Sequence, residues 1–493
     1  MEIKSATQEK TGLIACWCGR IKALPRKFKA KVTEVAQKTK KIGQDDPRRI
    51  VHSLRVGLAL TLVSMFYYVS PLYDGFGGSG MWAVLTVVVV FEFTVGATLS
   101  KGLNRGFATL LAGALGVGAE YLASLFGEKG QPIVLGFLVF LLAAASTFTR
   151  FFPRIKARYD YGVLIFVLTF SLVAVSGYRV EQIIELAQQR LLTIIVGGAI
   201  CIIISIVICP VWAGEELHIL VAANIEKLAS FLEGVGVEYF KFSEDGGSAL
   251  VSEDEKSFLR GYKDVLNTKT MEESLANFAW WEPGHGCFRF RHPWKQYLKI
   301  GVLARQCAYK FEALNAYINS DIQTPSEFQR RIQEPCTKIS TESGKALKEL
   351  ASAIKTMTHP SSAASTHVEN SKIAVDELKS ALQSASLGKA DLLEIIPAIT
   401  VASILIEINK CIEKIAESIH ELSHLAHFSS VEATATMEKP PQLLHRGSVK
   451  PVGDGDDDGD AVHIVIIVHG KFSDFPEKGN SDQAPKMSQP VEV

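Results

Sequence analysis

The sequence predicts an all-α polytopic membrane protein with six transmembrane helices and a cytosolic helical-bundle domain. Hydrophobic residues make up 47% of the 493 residues. Between Val51 and Val211 they form nearly uncharged blocks of about twenty residues, the length that a helix needs to cross the hydrocarbon layer. Beyond Glu215 the apolar residues instead recur at helical spacing among charged ones, which indicates helices that pack one face against a core.

The apolar blocks predict six spans. Their expected bounds are 56–70, 81–99, 106–126, 132–148, 161–175 and 191–209. One such block could be a core helix of a soluble protein, but six in succession are typical of a membrane domain. The chain then divides into a basic N-terminal segment (1–50), a transmembrane domain (51–213), a cytosolic helical domain (214–428) and an acidic tail that we expect to be disordered (429–493).

Positive charge alternates along the predicted connections. Lysine and arginine are abundant in the N-terminal segment, in the turn after the second span, which holds Lys101 and Arg105, and in the loop after the fourth span, which begins with Arg150. The other three loops contain at most one cation each. The positive-inside rule therefore predicts that both termini are cytosolic.

The stretch WWEPGHGCFRFRHPWKQY (280–297) differs from the amphipathic helices around it. It combines three tryptophans and three cations with two prolines and two glycines, which predicts a fixed, irregular connection. It could be a structural corner with buried aromatic rings, or a basic contact with lipid headgroups or other anions.

Two features of the tail suggest regulation or metal binding. Ser448 follows an arginine by two residues, so we consider it a candidate for phosphorylation. The run GDGDDDGD resembles the start of a calcium loop, but its twelfth position is Val465 where the loop needs glutamate, and we reject the match.

The chain contains no Walker A loop, HExxH, GxSxG or dinucleotide fingerprint, which argues against an enzyme or an ATP-driven pump and predicts no cofactor. The remaining chemistry is electrostatic. Four cations lie in or beside the spans: Lys101, Arg105, Arg150 and Arg190. They could reach to headgroups and set the topology, or they could line an anion pathway.

Two acids and several small residues also stand out in the spans. Glu92 and Glu120 should each pair with a cation, and Arg55 or Arg105 is the expected partner of Glu92. The stretch GFATLLAGALGVGA is rich in glycine and alanine, which favours close helix packing or a dimer with a jointly formed pore.

Several long motifs resemble the plant aluminium-activated malate transporter family, in order and over roughly residues 45–425. They are DPRRIVHSLRVGLAL, MWAVLTVVVVFEFTVGATLSKGLNRG, TFTRFFPRIKARYDYG, CPVWAGEELH and WEPGHGCFRFRHPWKQY. The resemblance implies a homodimeric anion channel that passes malate, chloride and nitrate passively, with no role for nucleic acid. It also implies that Lys101, Arg105, Arg150 and Arg190 line the pore. Trp281, Glu282 and Pro283 match the family's WEP motif, a structural signature of its cytosolic domain.

Not every member of that family responds to aluminium. A trivalent cation needs clustered oxygen ligands, and Asp74, Glu181 and Glu185 in or near the outward loops are the candidates, although they could be ordinary solvated acids. Members reside in the plasma or the vacuolar membrane, and the likeness to root-type malate channels favours the former.

Two other functions fit parts of the sequence. A proton-coupled organic-acid exporter would use Glu92 or Glu120 as its proton carrier. A membrane-anchored scaffold would use the helical domain and carry no current.

Overall fold

A computed structural model of the chain describes residues 26–69, 80–177, 183–238, 260–318, 327–384 and 392–429. This part of the chain contains α-helices, short turns and two isolated β-bridges, so the predicted all-α class is confirmed. The helices are α1 (Arg26–Asp45), α2 (Arg48–Tyr68), α3 (Gly80–Val90), α4 (Val95–Ser124), α5 (Gly127–Thr149), α6 (Pro153–Gly177), α7 (Ile183–Val207), α8 (Ala213–Glu238), α9 (Gly261–Leu266), α10 (Lys269–Ala279), α11 (Trp294–Ile318), α12 (Glu327–Thr356), α13 (Ser362–Ser384) and α14 (Leu392–Leu425).

Five of these helices are long and apolar enough to cross a membrane: α2, α4, α5, α6 and α7. The sixth apolar helix, α3, has 11 residues, fewer than the roughly 20 that a full crossing needs. The chain is thus a multi-pass membrane protein. The described residues establish five spans by length, with α3 packed beside them against α2 and α7.

The predicted second span, 81–99, has the wrong extent. Helix α3 ends at Val90, and α4 begins at Val95 and continues to Ser124. The Thr94 side chain caps α4 by accepting a hydrogen bond from the backbone N–H of Ala97 at 3.3 Å. Lys101 and Arg105 therefore lie within one continuous helix and not in a turn between two spans.

Helix α4 is central to the membrane half, where it packs against α5, α6 and α7. Small residues allow these close contacts, as expected. A Cβ atom added at Gly116 would lie only 2.7 Å from Val173, and one added at Gly197 would lie 2.8 Å from the carbonyl oxygen of Ala83.

Helices α8 and α10 to α14 form a bundle around a separate apolar core. The stripe predicted on α8 faces this core, where Leu217, Ile225, Leu228 and Leu232 are completely buried. Helices α8 and α12 pack along each other, as do α11 and α14, because each has an apolar face that needs a partner.

Candidate functional site

Two of the four predicted pore cations, Lys101 and Arg105, lie in the N-terminal part of α4 and meet at Tyr161 of α6. Arg105 is 5% exposed, and its Nη1 donates a hydrogen bond to the Tyr161 hydroxyl at 3.2 Å. The Nζ of Lys101 lies 5.7 Å from the centre of the same ring. The buried Nε of Arg105 has no hydrogen-bond partner among the described residues. Tyr161 therefore joins the two cations, a role that sequence analysis missed.

Arg190 of α7 lies on an aromatic face and not on a carboxylate. Its guanidinium carbon is 4.0 Å from the centre of the Trp82 ring, which belongs to α3. Arg190 is also close enough to Arg105 for their charges to repel each other. Among the residues that the structure describes, neither arginine forms an ion pair. Two permanent cations thus lie close together in the membrane domain, with no neutralising acid among the described side chains.

Lys101 does form an ion pair, and its partner is Glu92. The predicted partners of Glu92, Arg55 and Arg105, are therefore wrong. Glu92 lies in the short non-helical connection between α3 and α4, and this connection turns its side chain back along the first turns of α4, where Lys101 is located.

Arg150 is neutralised by Asp160. Its Nε donates to one carboxylate oxygen at 2.7 Å and its Nη2 to the other at 3.1 Å. This two-bond pair joins the end of α5 to α6. Of the four predicted pore cations, Arg150 and Lys101 are therefore paired with acids, while Arg105 and Arg190 have no acidic partner in the part of the chain that the structure describes.

Glu120 pairs with an amide and not with a cation, so that expectation is also wrong. The Nε2 of Gln131, at the start of α5, donates to Glu120 Oε1 at 2.5 Å, and Glu120 Oε2 is buried without a hydrogen-bond partner. Glu120 forms no salt bridge with any cation of the described residues.

Arg55 of α2 is completely buried and donates hydrogen bonds to carbonyl groups at the C-terminal end of α7. Its Nη1 donates to the carbonyl oxygens of Ile208 and Cys209 at 3.4 and 3.3 Å, and its Nη2 donates to that of Phe93 at 3.4 Å. These carbonyls are free because α7 ends at Val207 and residues 91–94 are not helical. The sequence signal for this contact was an arginine directly before the first predicted span.

Glu282 of the WEP motif connects the helical domain to the membrane domain. It is 3% exposed, and its Oε1 accepts hydrogen bonds from the backbone N–H groups of Gly96 at 3.0 Å and Ala213 at 2.6 Å. Its Oε2 accepts one from the N–H of Gly214 at 3.0 Å. One carboxylate thus caps the N-termini of both α4 and α8, which the sequence did not predict.

Burial raises the pKa of Glu282, and the backbone N–H donors, together with nearby His285, oppose that rise. The other two WEP residues lie at the surface of this joint. Trp281 packs edge-on against Tyr159 of α6 at 5.9 Å, and the carbonyl oxygen of Pro283 lies 2.9 Å from Nδ1 of His285. The motif therefore contacts two helices of the membrane half, α4 and α6, and the start of α8.

Other predicted sites are outside the described residues. These are Asp74, Glu181 and Ser448, and the side chain of Glu185, whose backbone belongs to α7. Within the part of the chain that the structure describes, no three His, Cys, Asp or Glu side chains are grouped so that they could hold a metal ion.

The sequence was compared with known proteins. The family profile described as "Aluminium activated malate transporter" matches residues 40–388. The chain is 51% identical over 454 residues to "Aluminum-activated malate transporter 2" of Arabidopsis thaliana, covering 92% of this chain and 88% of that protein. It is 47% identical over 428 residues to "Aluminum-activated malate transporter 1" of Triticum aestivum, covering 85% and 91%.

These matches extend from the first membrane helices through most of the helical domain, including the arginines of α4 and α7 and the Glu282 joint. The family consists of transporters and not of enzymes, as the lack of catalytic motifs predicted. The chain therefore belongs to the aluminium activated malate transporter family.

Proposed function

We propose that the protein is an anion channel that passes malate and inorganic anions, such as chloride and nitrate, passively across a plant membrane. The observation that carries this proposal is the pair Arg105 and Arg190, which lie in two transmembrane helices and have no carboxylate partner among the described residues. Fixed cations attract anions into a pathway and offset part of the hydration that the ions lose. Arginine keeps its charge at physiological pH, so this attraction persists.

We also propose how the subunits assemble and in which membrane the channel lies. Two subunits form the channel, and the apolar groove of about 320 Å³ along Gly102, Gly106 and Gly198 of α4 and α7 offers a surface of small residues for close helix contact. The charge distribution favours cytosolic termini. The plasma membrane is the favoured location, with the vacuolar membrane as the alternative.

External aluminium is the proposed activator. Asp74, Glu181 and Glu185 would supply carboxylate oxygens on the outer face, which suit a hard trivalent cation. Replacing all three with their amides should remove any increase in current on adding aluminium and leave the basal current. A triple variant that still responds would exclude these acids as the sensor.

The test is voltage-clamp recording from cells that express the full chain, with malate inside. A channel current reverses at the equilibrium potential of the anion. Arg190→Ala should reduce the current without reducing the protein at the membrane, whereas Arg154→Ala, an exposed cation at the start of α6, should not. Normal current and selectivity in Arg190→Ala would overturn the proposal.

A proton-coupled organic-acid exporter is the second candidate. The buried Glu120 Oε2 has no partner, and an intramembrane carboxyl without a cation is a suitable proton carrier. Coupled export predicts that the reversal potential shifts with the pH gradient and that Glu120→Gln abolishes this shift. A reversal potential that follows only the anion gradient would exclude the exporter.

A further inference from the structure

A cavity of about 500 Å³ lies where the membrane and helical domains meet. Arg158, near the start of α6, forms its membrane side, and Trp280, Arg291 and Lys295 from the 280–297 segment form the opposite side. Leu425, at the end of α14, completes the wall. The Glu282 joint does not line this cavity, and neither do the arginines of the proposed pore.

The charge of this cavity is one-sided. Three cations line it, and none of its lining residues is acidic. The guanidinium of Arg158 lies 4.5 Å from the centre of the Trp280 ring, and no ion pair involves Arg158, Arg291 or Lys295 among the described residues. The nearby acid, Glu421, is occupied by Lys299 at 2.6 Å and Gln296 at 2.8 Å.

Arg291 is held in a conformation that arginine rarely adopts. Its φ angle is +62°, in the left-handed region that favours glycine. Such strain persists where the surroundings impose it and is concentrated at ligand sites. Arg291 lines the cavity, and its guanidinium carbon lies 5.5 Å from the centre of the Phe290 ring.

The cavity lies at the level where a candidate membrane span begins. Arg158 belongs to the candidate span Pro153–Val175, close to its first residue. Phe151, Phe152, Tyr159 and Trp280 are all exposed at this level, as expected for an aromatic belt between hydrocarbon and water. A ligand with a phosphate group and acyl chains would meet cations and apolar surface together at this position.

We propose that this cavity binds a phosphate-bearing anion, with the headgroup of an anionic phospholipid as its source. The arginines present planar forks that match phosphate oxygens, and Lys295 adds a third charge. The lipid would bridge α6 and the 280–297 segment, so that binding stabilises the contact between the two domains. This site is independent of the proposed anion pathway.

Binding is measured on the purified full chain with phosphatidylcholine vesicles that contain phosphatidic acid as the minor lipid, and with vesicles of phosphatidylcholine alone. The phosphatidic acid vesicles should bind and raise the thermal unfolding temperature. The double variant Arg291→Gln, Lys295→Gln should bind at least about tenfold more weakly. The matched control, Arg289→Gln, removes an exposed charge from the same 280–297 segment outside the cavity and should bind as the original chain does.

Arg291→Gly separates binding from folding. Glycine relieves the strain at φ +62°, so this variant should fold at least as stably as the original chain yet bind more weakly. Inositol hexakisphosphate in solution distinguishes the source of the phosphate. If the protein binds the phosphatidic acid vesicles but not inositol hexakisphosphate, the source of the phosphate is a lipid. If it binds both equally, the same site takes a soluble anion. Binding that is unchanged in the double variant, or that falls equally in Arg289→Gln, overturns the proposal.

Discussion

The Glu282 carboxylate accepts a hydrogen bond from the backbone N–H of Gly96 at 3.0 Å. This contact joins residues 186 positions apart, one in the helical domain and one in the first turn of α4. The same carboxylate also caps α8 through Ala213 and Gly214. The start of the helix that carries Lys101 and Arg105 is therefore positioned by the helical domain.

Replacing Glu282 should destabilise this joint. Glu282→Gln retains one acceptor oxygen but loses the charge that favours two helix N-termini, and it turns an amide N–H₂ toward backbone donors. We expect a loss of about 1–3 kcal/mol in the free energy of unfolding. Thermal unfolding of the full chain in detergent measures the change. Glu273→Gln, on the exposed face of α10, is the control and should unfold as the original chain does; equal unfolding temperatures for both variants would contradict a capping role.

Gly96 should tolerate no side chain. A Cβ atom at this position would lie 2.5 Å from the carbonyl oxygen of Phe278 and 2.8 Å from Glu282 Oε1. Gly96→Ala should therefore separate α4 from the helical domain and cost about 1–3 kcal/mol, as overpacking typically does.

For Gly118→Ala, on the same helix, we expect no loss of stability. No atom lies within 4 Å of a Cβ added there, and alanine is the better helix former, so stability should stay the same or rise. Thermal unfolding of both variants tests the pair. If Gly96→Ala is as stable as Gly118→Ala, the contact between α4 and the helical domain accommodates a side chain at Gly96, and the prediction is wrong.

The four predicted pore cations should not be equivalent. Asp160 already neutralises Arg150, whereas Arg190 lies over the Trp82 ring and has no acidic partner among the described residues. Arg190→Gln should reduce the malate current several-fold, and Arg150→Gln should reduce it less, at equal amounts of protein in the membrane. Asp160→Asn removes the acid that neutralises Arg150. Arg150→Gln should therefore reduce the malate current more when it is combined with Asp160→Asn than when it is made in the original chain. Equal losses in Arg150→Gln and Arg190→Gln would indicate that pairing does not decide the contribution to the current.

The helical domain should lose stability in mild acid. Burial and the neighbouring His218 and His285 lower the pKa of His292 from 6.5 to about 4. The unfolded chain therefore binds this proton more tightly than the folded chain, and stability is full above the ordinary pKa and decreases as the pH falls below it. The loss from this group amounts to about 2 kcal/mol near pH 5.

Tryptophan fluorescence during thermal unfolding, recorded across this pH range, measures the effect. His292→Gln should flatten the dependence, because one titrating group is removed. If the slope is the same in the original chain and in His292→Gln, His292 does not cause the acid sensitivity.

Local patterns sufficed for the predictions that are confirmed. The all-α class and the membrane helices follow from the length and apolarity of continuous blocks, because a helix satisfies its own backbone hydrogen bonds and needs only an apolar side-chain surface to enter a bilayer. The stripe on α8 faces the core because helical periodicity places its leucines on one side. Family membership follows from long ordered motifs.

What the sequence by itself determined, then, is which segments are helical, which of them suit a membrane, and the family of the chain. Only the tertiary structure decided the partners of the charged groups. Glu92 pairs with Lys101 because helix α3 ends before Phe91 and the chain turns into α4. Arg150 pairs with Asp160 because α5 and α6 meet there. Glu282 caps a helix 186 residues away. Ion pairs and helix caps form over a few ångströms, and only the folded packing brings residues that are distant in the chain within that range.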